Sequence, residues 1–391
     1  MVWKRNVAVS RCLPMEAIES PVALLQELIR IPSVNPDGAP DEDAAGEREC
    51  AEWVGRFLEG IGATVTFEEV LPGRPNVIGR FPSTSSRRGL VLAPHTDTVS
   101  VRGMTIDPFG GEISDGKIYG RGASDTKGTM AAMLWALHLE REAIPGYAHP
   151  IAFAGMMGEE ASQPGSRHFA ANHADEFSFA LVGEPTELET VYANKGCVWI
   201  ELSTTGKSCH GSTPERGENA IRKLIPILEP LLRRIEERLP QYADDILGLP
   251  TVSLGKIEGG TSPNIVPSSC RVVLDFRETP ALHEAGGSLG LVRELLPSED
   301  AEIAAKVLGE SSPLLTDTRH PGVERLESIG SRLTTAPWFC DAGRFAECGL
   351  ASVACGPGKI AQAHTKDEYL SIADLEAGVA FYRRFLRTWA E

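Results

Sequence analysis

Hydrophobic positions along the chain follow two alternating patterns. Short apolar runs read as buried strands: Gly89-Leu-Val-Leu-Ala93, Ile151-Ala-Phe-Ala-Gly-Met156 and Phe177-Ser-Phe-Ala-Leu-Val182. Other stretches carry apolar residues at helical spacing. The first has them at 22, 24, 25, 28 and 29 and stops at Pro32; the second, about 44–60, carries Trp53, Val54, Phe57 and Leu58. A third, about 129–142, carries Met130, Met133, Leu134, Leu137 and His138, and a last one, about 372–389, carries Leu375, Val379, Phe381, Tyr382 and Phe385. Residues 65–70 and 76–81 read as strands joined by the turn-rich Leu71-Pro-Gly-Arg-Pro75, and 351–355 as another short strand. Strands alternating with helices predict an α/β fold, a central sheet flanked by helices.

The texture changes at Lys195. Residues 197–203 alternate as a strand, a loop follows over 205–212, and a long helical stripe carries Ile221, Leu224, Ile225, Leu228, Leu231, Leu232 and Ile235. The stripe reads as core rather than a partner groove. Pro226 and Pro230 are expected to kink this helix. Further strands read at 250–257 and 269–277, and a helix at about 289–296. This block suits a small α+β domain inserted into the larger one. The expected organisation is 15–194 and 309–391 as two parts of one domain, with 195–308 between them.

Composition narrows the classes. A chain of 391 residues has room for two or three domains, and 42% apolar with 24% charged residues is ordinary for a soluble protein. A formal net charge of −16 argues against nucleic acid or an anionic membrane as partner and favours cations. The 8 cysteines form no CxxC pair, which fits reduced thiols and a cytoplasmic location. No apolar run is long enough to span a membrane. The segment before Met15 does not read as a secretory signal, and Met15 itself is a candidate start.

The chemistry gathers at strand ends. Glu159 and Glu160 follow one apolar run; such a pair is commonplace in a solvated loop, but at the end of a buried strand it needs a compensating charge. His95 follows the 89–93 run, with Asp97 two residues on as a carboxylate or carbonyl for its second ring nitrogen. Glu184 follows the 177–182 run. Ligands in open α/β sheets bind outside the carboxyl ends of strands, so three such endings point to one site. Asp125, in Gly120-Arg-Gly-Ala-Ser-Asp-Thr-Lys-Gly128, precedes the third helix and reads either as its N-cap or as a ligand. Of these, His95, Asp125, Glu160 and Glu184 offer, together with His364, two imidazoles and three carboxylates. That mixture suits two divalent cations, zinc first, with cobalt or manganese as alternatives. Two such ions about 3.5–4 Å apart acidify a bridging water, and Glu159 is the natural general base.

Five ordered motifs carry a resemblance: His95-Thr-Asp97, Gly120-Arg-Gly-Ala-Ser-Asp-Thr-Lys-Gly128, Glu159-Glu160, Gly183-Glu-Pro-Thr186, and Gly356-Pro-Gly-(x)5-His364-Thr-Lys-Asp-Glu-Tyr369. From about residue 21 to 388 the chain resembles the dinuclear zinc deacylases and exopeptidases that include acetylornithine deacetylase, succinyl-diaminopimelate desuccinylase, aminoacylase and glutamate carboxypeptidase. The resemblance implies a catalytic α/β domain interrupted by a lid that makes a homodimer. It implies that Asp125 bridges two metals, that His95 and Glu184 complete one site, and that Glu160 and His364 complete the other. It further implies that Asp97 orients His95 and that Glu159 is the base. His210 would reach the partner subunit's active site to stabilise the oxyanion, while Asn264 and Arg277 would bind the substrate carboxylate. Arg277 also admits a plain reading as a strand-end salt bridge.

Two positions depart from the family pattern: Pro94 precedes His95 where glycine is common, and Thr126 takes a place often held by methionine. Residues 338–345 look more like the desuccinylase loop, whereas the Glu184 and His364 motifs look more like acetylornithine deacetylase. The expected activity is deacylation of an N-acyl amino acid, N-acetylornithine first. A desuccinylase or a dipeptidase of the same family is the alternative.

Overall fold

The computed structural model describes residues 18–37, 46–296 and 303–391. Met15, Cys12 and the expected start of the second helix near 44 lie outside the described residues. The chain divides into two compact units, one made of residues up to Tyr192 with 316–334 and 340–391, the other of 193–315 with 335–339.

The first unit is built on a mixed sheet. In spatial order its strands are Thr64–Leu71, Arg74–Arg80, Ile151–Gly155, Gly89–Pro94, Phe177–Gly183, Ser352–Ala354 and Thr190–Asn194. The four from Ile151–Gly155 to Ser352–Ala354 are mutually parallel, and the flanking pairings are antiparallel. The parallel strands are buried except at the half-buried Ser178, which is why they appear in sequence as nearly continuous apolar runs. The first hairpin is tighter than its turn-rich sequence suggests. Pairing continues to Leu71 opposite Arg74, and Pro75 sits within the ladder opposite Glu69.

Helices Pro21–Arg30, Arg48–Gly60, Lys127–Glu140 and Ile372–Arg387 share one core with the sheet, in which Leu28, Trp53, Met133, Phe153, Phe179 and Phe385 are buried. Ser20 and Ser371 cap the first and last of these helices through their side chains. Helix Lys127–Glu140 begins two residues earlier than its apolar spacing suggests. It is buried nearly all round rather than on one face, so its amphipathic signal is weak. Its cap is Thr126, which makes no side-chain capping bond; Asp125 is not the N-cap.

A three-stranded antiparallel sheet, Glu112–Ser114, Lys117–Tyr119 and Tyr369–Ser371, ties the sequence after residue 364 to the sequence before residue 125. No described helix is long and apolar enough to cross a membrane. The seven described cysteines are free thiols.

The second unit contains a four-stranded antiparallel sheet in the order Thr251–Gly259, Ser269–Glu278, Gly196–Thr205, Ile303–Ser311. Its core joins Ile200, Leu202, Val272, Leu274 and Phe276 to Leu224, Leu231 and Ile235 of helix Ala220–Arg238. That helix runs as one element through Pro226 and Pro230, both on its exposed side. Of the expected apolar stripe, Ile225 is outside the core, at 58% exposure.

Phe153 lies fully buried at the centre of the first unit's sheet. Phe153→Ala is expected to cost about 3–5 kcal/mol through lost burial and the cavity left behind, read as a lowered denaturation midpoint. A loss below about 1 kcal/mol would mean that the core there is far looser than the burial indicates.

Candidate metal centre and active site

The parallel strands deliver the site's side chains from one edge of the sheet. Gly89–Pro94 ends at His95, Ile151–Gly155 runs toward Glu159 and Glu160, and Phe177–Gly183 ends at Glu184. Bridging continues past the strands, with His95 paired to Met156, so the His95–Asp97 and Met157–Glu160 segments lie side by side. Gly158 adopts φ +77°, and a Cβ there would sit 2.8 Å from Pro164, so the turn that presents the two glutamates requires glycine.

His95, Asp125 and Glu160 bring one ligand atom each within 4.8 Å of one another. His95 Nε2 is 3.1 Å from Asp125 Oδ1, and its Nδ1 is 3.0 Å from the Asp97 carbonyl oxygen. The Asp97 carboxylate is 3.4 Å from the same nitrogen. His364, with φ +62°, places Nε2 3.0 Å from Glu160 Oε2 and 3.3 Å from Asp125 Oδ2. Asp125 is therefore flanked by the two imidazoles, one on each carboxylate oxygen. Glu159 and Glu184 are buried in the same electrostatic cluster: the charge of Glu184 reaches Glu159, and those of Asp125 and Glu160 reach Glu184. The sequence candidates His95, Asp97, Asp125, Glu159, Glu160, Glu184 and His364 thus come together in the first unit.

The other three candidates lie in the second unit. His210 is exposed, with Nδ1 2.7 Å from Ser212 Oγ, and its backbone bridges to Ile265. Asn264 belongs to the adjoining loop: Gly211 N donates to its carbonyl and Ser262 Oγ donates to its side chain. Arg277, on strand Ser269–Glu278, pairs with Asp275 at 3.0 Å, the salt bridge that its strand-end position allows.

Three supporting residues escaped the sequence reading. Glu368 is fully buried and accepts the backbone N–H groups of Gly122, Ser124 and Asp125 together with Nη1 of Arg121. It moulds the loop that carries Asp125, and Gly120 N also bonds the Glu368 carbonyl. Asp341, 1% exposed, accepts from Ser166 Oγ and contributes to the charge at Glu159 and Glu184. Asn35 donates to Asp97. Glu368 and Asp341 both stand inside quoted motifs, so their carboxylates were visible; their partners were not.

The electrostatics are those of a site short of positive charge. Burial, followed by the charge of Glu184, raises the Glu159 carboxyl well above the usual range; burial and then Asp125 raise Glu184 in the same way. Glu160 is pushed up to about 7 by burial and Asp125. Asp341 is pushed up to about 6, chiefly by burial. Burial would also raise Asp125, but contacts with His364 and His95 overcome it and hold Asp125 low. His364 is raised to about 10 by Asp125 and Glu160. Burial works against the His95 imidazolium, yet Asp125 and Asp97 raise its proton affinity. Oxygens of Glu160, Glu184 and Asp341 are buried with no donor. Orphaned carboxylate oxygens beside two imidazoles are the donor set that divalent zinc, cobalt or manganese takes, so the residues present fit such ions.

Fold and cluster together define a metal-dependent hydrolase. The profile described as Peptidase family M20/M25/M40 matches residues 91–388, and the chain belongs to that family. Among relatives, it is 30% identical over 373 residues to an acetylornithine deacetylase of Proteus mirabilis, covering 91% of this chain and 93% of that one. It is 32% identical over 369 residues to an acetylornithine deacetylase of Edwardsiella ictaluri, covering 90% and 92%. Among solved structures it is similar to an M20 family metallo-carboxypeptidase of Sulfolobus solfataricus, with TM-score 0.77, 19% identity and coverage of 95% and 100%. It is also similar to a dinuclear metal-binding M20 peptidase of Bacillus subtilis, with TM-score 0.64, 14% identity and coverage of 95% and 97%.

A carboxyl whose proton affinity rises on folding stabilises the fold below its ordinary pKa and loses that contribution as pH climbs through the raised value. For Glu160 the window runs from 4.5 to about 7. His364 acts in the same direction between 6.5 and about 10. Chelator-treated protein is therefore expected to melt lower at pH 8 than at pH 5, and zinc at pH 8 is expected to restore the loss. Equal melting temperatures at both pH values, unmoved by zinc, would contradict this account.

Proposed function

We propose that this hydrolase removes the acyl group of an N-acyl amino acid, with N-acetylornithine as the leading substrate. The observation that carries the reading is Glu159: a buried carboxyl of raised proton affinity, beside a cluster of donor side chains suited to two divalent ions. The likeness to acetylornithine deacetylases over about nine-tenths of both chains supports the choice of substrate.

In this reading Asp125 would hold both ions, His95 and Glu184 would complete one site, and Glu160 and His364 would complete the other. Zinc is the leading metal, with cobalt or manganese able to serve. When bound, the ions polarise the amide carbonyl and lower the pKa of water. Glu159 takes a proton from the attacking water as its oxygen joins the acyl carbon. It then delivers that proton to the amine nitrogen as the C–N bond breaks, leaving a carboxylate and a free amino acid. Its place, buried in the same cluster as the ligands, suits both halves of the transfer. Asp97 holds the imidazole of His95 in place. Arg277 and Asn264 bind the substrate carboxylate, Arg277 exchanging its bond with Asp275 for a bidentate one. His210 stabilises the oxyanion in the partner's site, which makes the working unit a homodimer with the 195–308 segment as its lid and dimerising domain. The location is cytoplasmic.

Glu159→Gln is expected to cut turnover by about 10²–10⁴-fold while leaving metal content unchanged; wild-type turnover in that variant would overturn the assignment. With chelated wild-type protein and N-acetylornithine, activity should return only on adding zinc or cobalt. Cleavage of dipeptides with acyl-ornithine, acyl-lysine and succinyl-diaminopimelate all untouched would move the substrate to the peptidase side.

A further inference from the structure

Asp97 does more in this structure than face His95. Its carboxylate is fully buried and accepts the N–H of Glu159 on Oδ1 and the N–H of Glu160 on Oδ2, each at 3.0 Å. One carboxylate therefore fixes the backbone of both glutamates and faces the imidazole as well. What fixes Asp97 is a third donor, Asn35 Nδ2, at 2.7 Å from Oδ2.

Asn35 is itself held so that its amide can face only one way. Its Oδ1 accepts the N–H of Asp37 at 2.9 Å and lies 3.4 Å from Arg74 Nη2. An amide oxygen met by two donors leaves its NH₂ end directed at Asp97. Arg74 is locked in turn by Glu47, with Nε and Nη2 each bonded to one Glu47 oxygen at 2.8 and 2.6 Å, and by Asp37 at 2.6 Å. Arg74 and Glu47 are buried, and the Asn35 backbone is pinned to Thr98 at 2.8 Å. Two residues beyond Arg74, Asn76 clamps the same turn from its other side, accepting from Met157 N and donating to the Gly165 carbonyl.

We propose that Asn35 is a positioning residue for metal binding and hydrolysis, set by the buried Arg74–Glu47 pair and acting through Asp97 on the Glu159–Glu160 backbone. The proposal rests on the reading of Glu160 as ligand and Glu159 as base. Asn35, Arg74 and Glu47 need touch neither substrate nor metal. Partners of this kind, one shell outside the ligands, typically carry about 10–100-fold in metal affinity or activity.

The test titrates full-length protein with cobalt(II) chloride, following visible absorption, and measures kcat and KM for N-acetylornithine in parallel. Asn35→Asp keeps the acceptor for Arg74 but removes the donor; Asn35→Leu removes both. Both are expected to weaken cobalt binding and to lower kcat by about 10–100-fold, with an altered cobalt spectrum and little change in KM. Glu47→Gln keeps an acceptor for Arg74 and should retain most of both. Glu140→Gln serves as the control: Glu140 is buried against Arg383 and Arg387 near the far end of helix Lys127–Glu140, and its loss should lower the melting temperature without moving the cobalt spectrum. Cobalt affinity and spectrum within twofold of wild type in both Asn35 variants would overturn the proposal. So would losses in those variants no larger, at equal melting temperature, than those in Glu140→Gln. If wild type binds cobalt yet hydrolyses no N-acyl amino acid, the functional reading fails, while the titration still decides the role of Asn35.

Discussion

Mutual repulsion among buried carboxylates is the constraint on which the first unit depends. Asp97, Asp125, Glu159, Glu160, Glu184 and Asp341 share one cluster, most of them with almost no exposed surface. Two imidazoles and a set of backbone N–H groups offset part of that charge, and protons or metal ions must supply the rest. The division of labour is visible in the bonding. Asp97 is fully provided with donors and stays ionised, held below the usual range by His95, Asn35 and the Glu160 amide in spite of its burial. Glu160 and Glu184 keep orphaned oxygens, which is where a cation has something to gain. Asp97 is thus saturated with donors, whereas Glu160 and Glu184 are not.

The surrounding architecture keeps these groups apart by small distances. The parallel strands set the spacing of His95, Glu159 and Glu184, and the loop before helix Lys127–Glu140 sets Asp125 through Glu368 rather than through a helix cap. Gly128, in the first turn of that helix, packs against Ala123, where a Cβ would lie 2.2 Å from the Ala123 carbonyl oxygen, so the loop and the helix start are folded tightly on each other. Displacement of the Asp125 loop would cost the Glu368 bonds as well as the contacts to both histidines.

How much of this was legible in the sequence depended on whether a residue's role follows from its neighbours along the chain. His95, Glu159, Glu160 and Glu184 follow apolar runs, and strand ends converge, so their meeting could be argued from periodicity. Asp125 was legible through its motif but ambiguous, because an aspartate before a helix serves equally well as a cap. Asn35, Asp341 and Glu368 were not legible: their partners lie 62, 175 and 243–247 residues away, and no local pattern encodes such a pairing. The same limit explains smaller differences. Buried all round, helix Lys127–Glu140 has no face to mark its register, and Pro75 could join a strand because the hairpin pairing tolerates it. His210, Asn264 and Arg277 were marked by the family resemblance alone.

The three-stranded sheet that joins Lys117–Tyr119 to Tyr369–Ser371 has a consequence for how the molecule is made. His364 and Glu368 lie just before that last strand, so the cluster stays open while most of the polypeptide has already been synthesised. During translation the early strands can pair and the first helices can pack, but the carboxylates they gather lack their second imidazole and the acceptor that shapes the Asp125 loop. The cluster of carboxylates and imidazoles is therefore completed only when this late segment docks against the sequence that precedes helix Lys127–Glu140.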